Sequence, residues 1–345
     1  LAFSGLNLHP TLVRGISDLG FDSPTPIQSQ AIPAALNGRD LLASAKTGSG
    51  KTAAFLLPVL HQLVDRPRGT TRALVLAPTR ELALQIVADM RELARHTNLT
   101  AAAIYGGVGM GPQERALRKG VDVIAATPGR LLDHFERGNA PLRGLEHLIL
   151  DEADRMLDMG FLPDIRRVLK HVPAPKQTLF FSATMPKAIE ALAREILQNP
   201  AMIALQRKAA PAEGVKQSVY PVPSDLKSSL LVELLTKGDM DDALVFTRTK
   251  HRANRLCKLL GRNGISAERI HGNRSQAQRT KALAAFKAGK CRVLVATDIA
   301  ARGIDVEALG HVVNFDVPKV PEDYIHRVGR TARAEETGDA ITLVS

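Results

Sequence analysis

Short apolar runs recur along this chain, and nearly every one stops at a small cluster of Gly, Thr, Ser, Arg or acidic residues. Leu41-Leu42-Ala43 leads into a glycine-bearing loop. Residues 72–77 end in Pro78-Thr79-Arg80-Glu81-Leu82, residues 101–105 in Gly106-Gly107, and residues 121–125 in Thr127-Pro128-Gly129-Arg130. Residues 147–150 run into Asp151-Glu152-Ala153-Asp154, and residues 178–181 into Ser182-Ala183-Thr184. Runs this short and continuously apolar predict strands buried on both faces. Between them lie helical patterns: Ile27-Gln28 opens one behind the rigid Pro24-Thr25-Pro26 turn, and Leu82, Ile86, Met90 and Leu93 face a core from another. Alternating strands and helices predict a parallel sheet with helices on both faces, whose functional loops lie at the carboxyl ends of the strands.

The pattern breaks over residues 206–217 and then restarts. Residues 243–246 end in Thr247-Arg248-Thr249-Lys250, 267–270 in His271-Gly272, and 293–296 in Thr297-Asp298. Residues 311–315 form a further strand, and a last one precedes Ser345. The expected organisation is a domain over 1–208, a linker over 209–215, and a second domain over 216–345 that stops short of its own C-terminal end.

Composition narrows the class. The 345 residues suffice for two cores, and 45% hydrophobic with 23% charged residues describes a folded chain. No apolar run reaches the length of a membrane span, so no membrane partner is expected, and Cys257 and Cys291, read as reduced packing residues, point to a cytoplasmic protein. The chain begins at Leu1, which leaves a preceding segment open. The net charge of +11 divides into +5 before residue 215 and +6 from there on, which suits a polyanion touched by both halves. With no Trp and three Tyr, the grip would fall on a nucleic-acid backbone more than on stacked bases. Cys257 and Cys291 have neither metal nor redox spacing, and the ten histidines form no ligand cluster.

The candidate chemistry begins at Ala45-Lys46-Thr47-Gly48-Ser49-Gly50-Lys51-Thr52, a strand–glycine loop–Lys-Thr–helix layout that cradles phosphates. Gly48 and Gly50 let backbone N–H groups turn inward. Lys51 would reach the β- and γ-phosphates of a nucleotide, and Thr52 would help hold Mg²⁺. About a hundred residues on, Asp151 would anchor the metal and Glu152 would orient and deprotonate the attacking water. Gln28 is read either as a surface glutamine or as a reader of the adenine edge, since a carboxamide donates and accepts at once. His326-Arg327-Val328-Gly329-Arg330-Thr331-Ala332-Arg333 could be a solvated basic face or a source of arginines for a γ-phosphate bound by the other half.

Taken in order, these motifs, with Ala300-Ala301-Arg302-Gly303-Ile304-Asp305, resemble those of the DEAD-box RNA helicases of superfamily 2 over essentially the whole chain. The wording of residues 24–28 and the opening are similar to the bacterial RhlE-like branch. The resemblance implies two tandem RecA-like domains that close on ATP and RNA together, with RNA-stimulated hydrolysis and local, non-processive unwinding. It implies a nucleotide site of Phe3, Phe21, Gln28, Thr47, Gly48, Ser49, Gly50, Lys51, Thr52 and Asp305, with Mg²⁺ at Thr52 and Asp151. It assigns Arg330 and Arg333 as arginine fingers, and Ser182, Thr184 and His326 to the link between the nucleotide and RNA sites. RNA-backbone contacts carry over to Pro78, Arg80, Gly107, Thr127 and Arg130 in the first domain and to Gln276, Arg279 and Thr297 in the second. Lys46 stands where Gln is frequent and Asn273 where Asp is common. Protein partners would act through segments beyond these residues. An ATP-gated RNA clamp and a DNA helicase are the competing readings.

Overall fold

A strand covered on both faces needs apolar residues throughout, not alternation, and β2 (Ala73–Leu76), β4 (Val123–Ala126) and β5 (His147–Leu150) are buried at every position. The computed structural model describes residues 2–45, 48–139, 142–174, 176–204, 215–237, 240–301, 309–318, 321–331 and 338–345, without the side chains of Ile299, Pro321, Glu322 and His326. The chain divides into two units, Leu1–Gln206 and Arg207–Ser345, each built on its own sheet.

In the first unit a 3₁₀ turn (Phe3–Leu6) is followed by α1 (Pro10–Asp18), α2 (Pro26–Leu36), β1 (Leu41–Ser44), α3 (Lys51–Leu63), β2, α4 (Arg80–Leu93), β3 (Ala101–Ile104), α5 (Met110–Lys119), β4, α6 (Pro128–Glu136), β5, α7 (Ala153–Asp158), α8 (Leu162–Leu169), β6 (Gln177–Ser182), α9 (Lys187–Ile196) and β7 (Ala201–Ala204). The strands are parallel in the order β3-β4-β2-β5-β6-β1-β7. Successive residues of β6 serve opposite layers. Phe181 joins Phe55, Ile27 and Met90 on one face, with the Phe55 ring centroid 5.4 Å away, while Phe180 joins Leu148, Met156 and Ile165 on the other. Because every strand runs the same way, the polar loops that follow them share one edge.

The opposite edge is held by a buried carboxylate. Asp40 accepts from the backbone N–H of Thr178 and of Gln198, both at 2.7 Å, tying β6 and the approach to β7 to the entry of β1. Asn at this position would set an amide donor against one of those N–H groups. Asp40→Asn is therefore expected to lower stability by about 2–3 kcal/mol, read as a shifted urea midpoint. An unchanged midpoint would remove Asp40 from this role.

The second unit contains β8 (Val215–Pro221), α10 (Lys227–Lys237), β9 (Ala243–Thr247), α11 (Lys250–Arg262), β10 (Ala267–Ile270), α12 (Gln276–Lys287), β11 (Val293–Thr297), α13 (Asp298–Ala301), β12 (His311–Asn314), α14 (Pro321–Val328) and β13 (Gly338–Val344). Its parallel sheet runs β10-β11-β9-β12-β13-β8. Two strands are absent from the sequence expectation. β7 is a four-residue edge strand. β8 begins inside the segment read as irregular, where Val215–Gln217 pair with Gly338–Ala340. Its apolar signal is weak because most of its residues are exposed on a sheet edge. The other linker residues, 209–214, lie outside the described residues. Among the described residues no helix is long and apolar enough to cross a membrane.

Candidate functional site

The strand order of the first unit sorts the sequence motifs into two neighbouring groups. The loops after β1, β6 and β5 form one, and the loops after β2, β4 and β3 form the other. In the first group, Gly48 and Gly50 adopt φ of 77° and 87°, left-handed values at which Gly carries no Cβ penalty. Gly50 caps α3, and a Cβ there would also lie 2.5 Å from Gln28 Nε2. Lys51 opens the helix with only 6% of its surface exposed, and its Nζ has no hydrogen-bond partner among the described residues. A buried ammonium without an acceptor is costly in isolation. Ser49 and Thr52 are half-buried on either side of it. Thr47 and Lys46 lie outside the described residues.

Asp151 follows β5, its backbone N–H bonded to Leu76 O at 3.0 Å, and one of its carboxylate oxygens accepts from Glu152 N at 2.9 Å. Burial pushes its pKa up to about 6. The positive charge of Lys51 opposes the rise, and the neighbouring Glu152 carboxylate adds to it. A divalent cation here would restore the ionised form, and a phosphate anion would satisfy Lys51, so the residues present fit a Mg²⁺–nucleotide pair. Glu152 sits at φ 52°, an uncommon value for a non-glycine residue, and its carboxylate is ion-paired to the buried guanidinium of Arg155.

Ser182 and Thr184 come together on Asp154. Thr184 donates to Asp154 Oδ2 from its backbone N–H (2.8 Å) and its hydroxyl (2.9 Å). Asp154 N donates to Ser182 Oγ at 3.2 Å, and Ser182 Oγ donates to Thr184 O at 2.7 Å. The sequence motifs assign no role to Asp154 or Arg155. Arg155 carries a readable signal, an i,i+3 spacing from Glu152, whereas the partners of Asp154 are 28 and 30 residues away.

Two of the residues expected at a base, Gln28 and Phe3, are buried in this structure. Gln28, 4% exposed, accepts from Thr25 N at 2.9 Å and donates to Gly50 O at 3.0 Å, while Thr25 Oγ1 donates to Ser49 O at 2.8 Å. The carboxamide thus braces the glycine loop. Phe3, expected to stack on a base, is 4% exposed and packs in the same apolar cluster as Leu6, Leu12 and Ile16. Phe21, 45% exposed, is the ring available beside α2.

In the second group, Pro78 is buried before Thr79, whose hydroxyl caps α4 by accepting from Leu82 N at 3.3 Å. The Arg80 guanidinium lies over Gly107, where a Cβ would approach Nη1 to 2.2 Å and φ is +84°. Arg130 donates to Val108 O at 3.0 Å, and Thr127 is the N-cap of α6. Arg80, Gly107, Thr127 and Arg130 therefore meet around one glycine loop, a surface of guanidinium, hydroxyl and backbone groups suited to phosphate and sugar and offering no base code.

In the second unit, Gln276 and Arg279 lie in the first turn of α12 and Thr297 ends β11; Arg279 donates to Ala300 O at 3.3 Å. Of the three arginines read together, Arg327 is an internal strut. It is 3% exposed, bidentate to Asp298 at 2.6 and 2.8 Å, donates to Asn314 Oδ1 and Asp316 O, and lies 4.9 Å from the Phe246 ring centroid. Arg330 is buried just after α14. Asp305, Arg333 and the side chain of His326 lie outside the described residues.

The family described as DEAD/DEAH box helicase matches residues 25–192, and the helicase conserved C-terminal domain matches residues 226–335. The chain is 44% identical over 342 residues to the ATP-dependent RNA helicase CshA of Listeria monocytogenes, covering 99% of this chain and 66% of that protein. It is 43% identical over 343 residues to the DEAD-box ATP-dependent RNA helicase CshA of Geobacillus kaustophilus, covering 99% and 73%. It thus spans about two thirds of the length of these relatives. Among solved structures, S. cerevisiae Dbp5 bound to RNA and ADP BeF3 matches with a TM-score of 0.90 and 32% identity, over 99% of this chain and 89% of that one. A DEAD box protein from Methanococcus jannaschii matches with a TM-score of 0.58 and 40% identity, over 99% and 93%. The two sheets are accordingly a tandem pair of RecA-like domains.

Proposed function

We propose, from the premise that this chain belongs to the DEAD-box helicase family, that it forms the catalytic core of an ATP-dependent RNA helicase. The observation that carries the reading is the buried ammonium of Lys51 at the head of α3, without a hydrogen-bond partner among the described residues and beside two adjacent carboxylates at the end of β5. That arrangement supports a triphosphate. Thr52 and Asp151 would hold Mg²⁺, which supplies charge neutralisation for the transferring phosphoryl group. Lys51 and the backbone N–H groups of the glycine loop bind the phosphates, and Glu152 orients and deprotonates water. ATP as the nucleotide rests on Gln28, whose present bonds to the glycine loop would let base binding and loop geometry influence each other.

RNA is proposed for the surface around Gly107 and for Gln276, Arg279 and Thr297. The Asp154–Thr184 hydrogen bonds support the part of the reading in which the phosphate and RNA surfaces of the first domain communicate. Arg330 and Arg333 would serve the phosphate bound by that domain, so that hydrolysis depends on domain closure and unwinding stays local. Domain limits of 1–208 and 216–345, the RhlE-like branch and a cytoplasmic location belong to the same proposal. The buried, unpaired Cys257 and Cys291 are compatible with that location.

The test is steady-state ATP hydrolysis with no polymer, with single-stranded RNA, and with DNA of the same sequence. Stimulation by RNA alone is expected. Equal stimulation by DNA would favour a DNA helicase, and hydrolysis indifferent to both would reduce the reading to a two-domain ATPase.

A further inference from the structure

The net charge divides evenly between the halves of the chain but not within the second. Residues 243–297 contain thirteen Lys and Arg and a single acid, Glu268, a local +12 that exceeds the +11 of the entire chain. Part of this charge is structural. Arg292 closes the end of α10 by donating to Leu235 O at 3.0 Å and Met240 O at 2.6 Å, Arg279 reaches Ala300 O, and Arg252 pairs with Asp316.

Of the other ten, Lys250, Arg255, Lys258 and Arg262 lie on α11 and Arg274 lies in the loop after β10. α11 has five Lys and Arg and no acidic residue. His251, Arg255, Lys258 and Arg262 recur at i, i+4, i+7 and i+11, all exposed, which places them in one stripe along about 16 Å of helix axis. Among the described residues, Lys250, Arg255, Lys258 and Arg262 make no ion pair. Like charges at this spacing destabilise a helix, and no carboxylate among the described residues pairs with them.

The stripe starts at the functional edge of the sheet. Lys250 Nζ donates to Asn273 Oδ1 at 3.2 Å, in the loop that leads to Gln276. An amide, where Asp is common in the family, holds that ammonium without neutralising it. Between them, His271 is buried and bonded to Asn254 at 3.0 Å. Its pKa is pushed down first by burial and then by the charges of Arg269, Arg274, Lys250 and Arg279, so four cations converge on the end of β10.

We propose that the α11 stripe and the loop after β10 form a second track for RNA phosphates, continuous with Gln276, Arg279 and Thr297, which holds the strand beyond the segment gripped at the sheet edge. The proposal rests on the reading of this chain as an RNA helicase. RNA fits better than an acidic protein surface because protein interfaces need apolar anchors. None of the large apolar side chains exposed among the described residues lies between residues 243 and 297. A line of point charges with no apolar centre matches a phosphodiester backbone.

The test is the full chain carrying Arg255→Gln, Lys258→Gln and Arg262→Gln together. It compares a short RNA with the same sequence extended at both ends, measuring affinity across a salt series and ATP hydrolysis. All three positions are exposed, and thermal unfolding checks that the variant folds. For the long RNA, affinity at low salt is expected to fall at least about tenfold and the salt slope to shrink by about 2 units, from three lost phosphate contacts. Affinity for the short RNA and hydrolysis without RNA should match the parent chain. Long RNA bound with unchanged affinity and slope would overturn the track. So would a loss confined to a polyglutamate probe, which would assign the stripe to an acidic protein. If the parent chain itself shows no stimulation by short RNA, the functional reading fails instead, which a defect limited to long RNA does not imply.

Discussion

Lys51→Ala is expected to lower kcat/KM for ATP by at least about a hundredfold, because it removes the buried cation that heads α3 behind the glycine loop. Its placement makes the consequence unusual in one respect. Among the described residues the ammonium has no hydrogen-bond acceptor, so in the nucleotide-free protein it is a cost as well as a tool. Lys51→Met, which keeps most of the aliphatic stem, should therefore hold or raise the unfolding temperature while activity is lost. Asp151 provides a second readout. Lys51 is the leading influence that opposes the upward push of burial on that carboxyl, and without it Asp151 would titrate still higher than about 6. Nucleotide-binding titrations and thermal unfolding of the two variants decide the matter: turnover retained in Lys51→Ala would refute the site. A joint loss of stability and activity in Lys51→Met would make Lys51 a structural residue.

Why the motifs were readable and their partners were not follows from what each depends on. A phosphate loop is local. Gly48, Gly50 and Lys51 need only a strand before them and a helix after them, and both are written in Leu41–Ser44 and in the apolar face of α3. The same holds for each polar cluster at a strand end, since parallel strands put all such ends on one edge. Asp154 is different. Its contacts with Ser182 and Thr184 exist because β5 and β6 are neighbours in the sheet, and adjacency of strands is a property of the whole topology. Gln28 shows the same limit, since spacing offered a carboxamide but could not say that Gly50 O would occupy it. Arg327 reads as one more arginine in a basic run, and only the packed structure shows Asp298, Asn314 and the Phe246 ring around it. Edge strands fail for a further reason. β8 is exposed along most of its length, so the apolar signature that betrayed the central strands is missing.

Glu152→Gln is expected to leave ATP and RNA binding within a few-fold of the parent chain while reducing kcat by about 10²- to 10⁴-fold. The substitution keeps the shape of the side chain and removes its ability to take a proton from water. The structure adds a constraint on how cleanly this can be done, because the Glu152 carboxylate is also the partner of the buried Arg155 guanidinium. A glutamine oxygen can still accept from Arg155 but brings no charge, so a stability loss of about 1–2 kcal/mol should accompany the kinetic defect. That loss is a fraction of the stability of an ordinary domain and would not unfold it. Arg155→Lys separates the two roles of the carboxylate. It retains a cation beside Glu152 but not the planar guanidinium, so it should impair kcat without matching the collapse expected in Glu152→Gln. Single-turnover hydrolysis with saturating ATP and RNA, read beside equilibrium nucleotide binding, tests both. If Glu152→Gln loses ATP affinity in step with turnover, the carboxylate belongs to nucleotide binding. If affinity holds and chemistry stops, Glu152 is the water-activating base and Arg155 the residue that aims it.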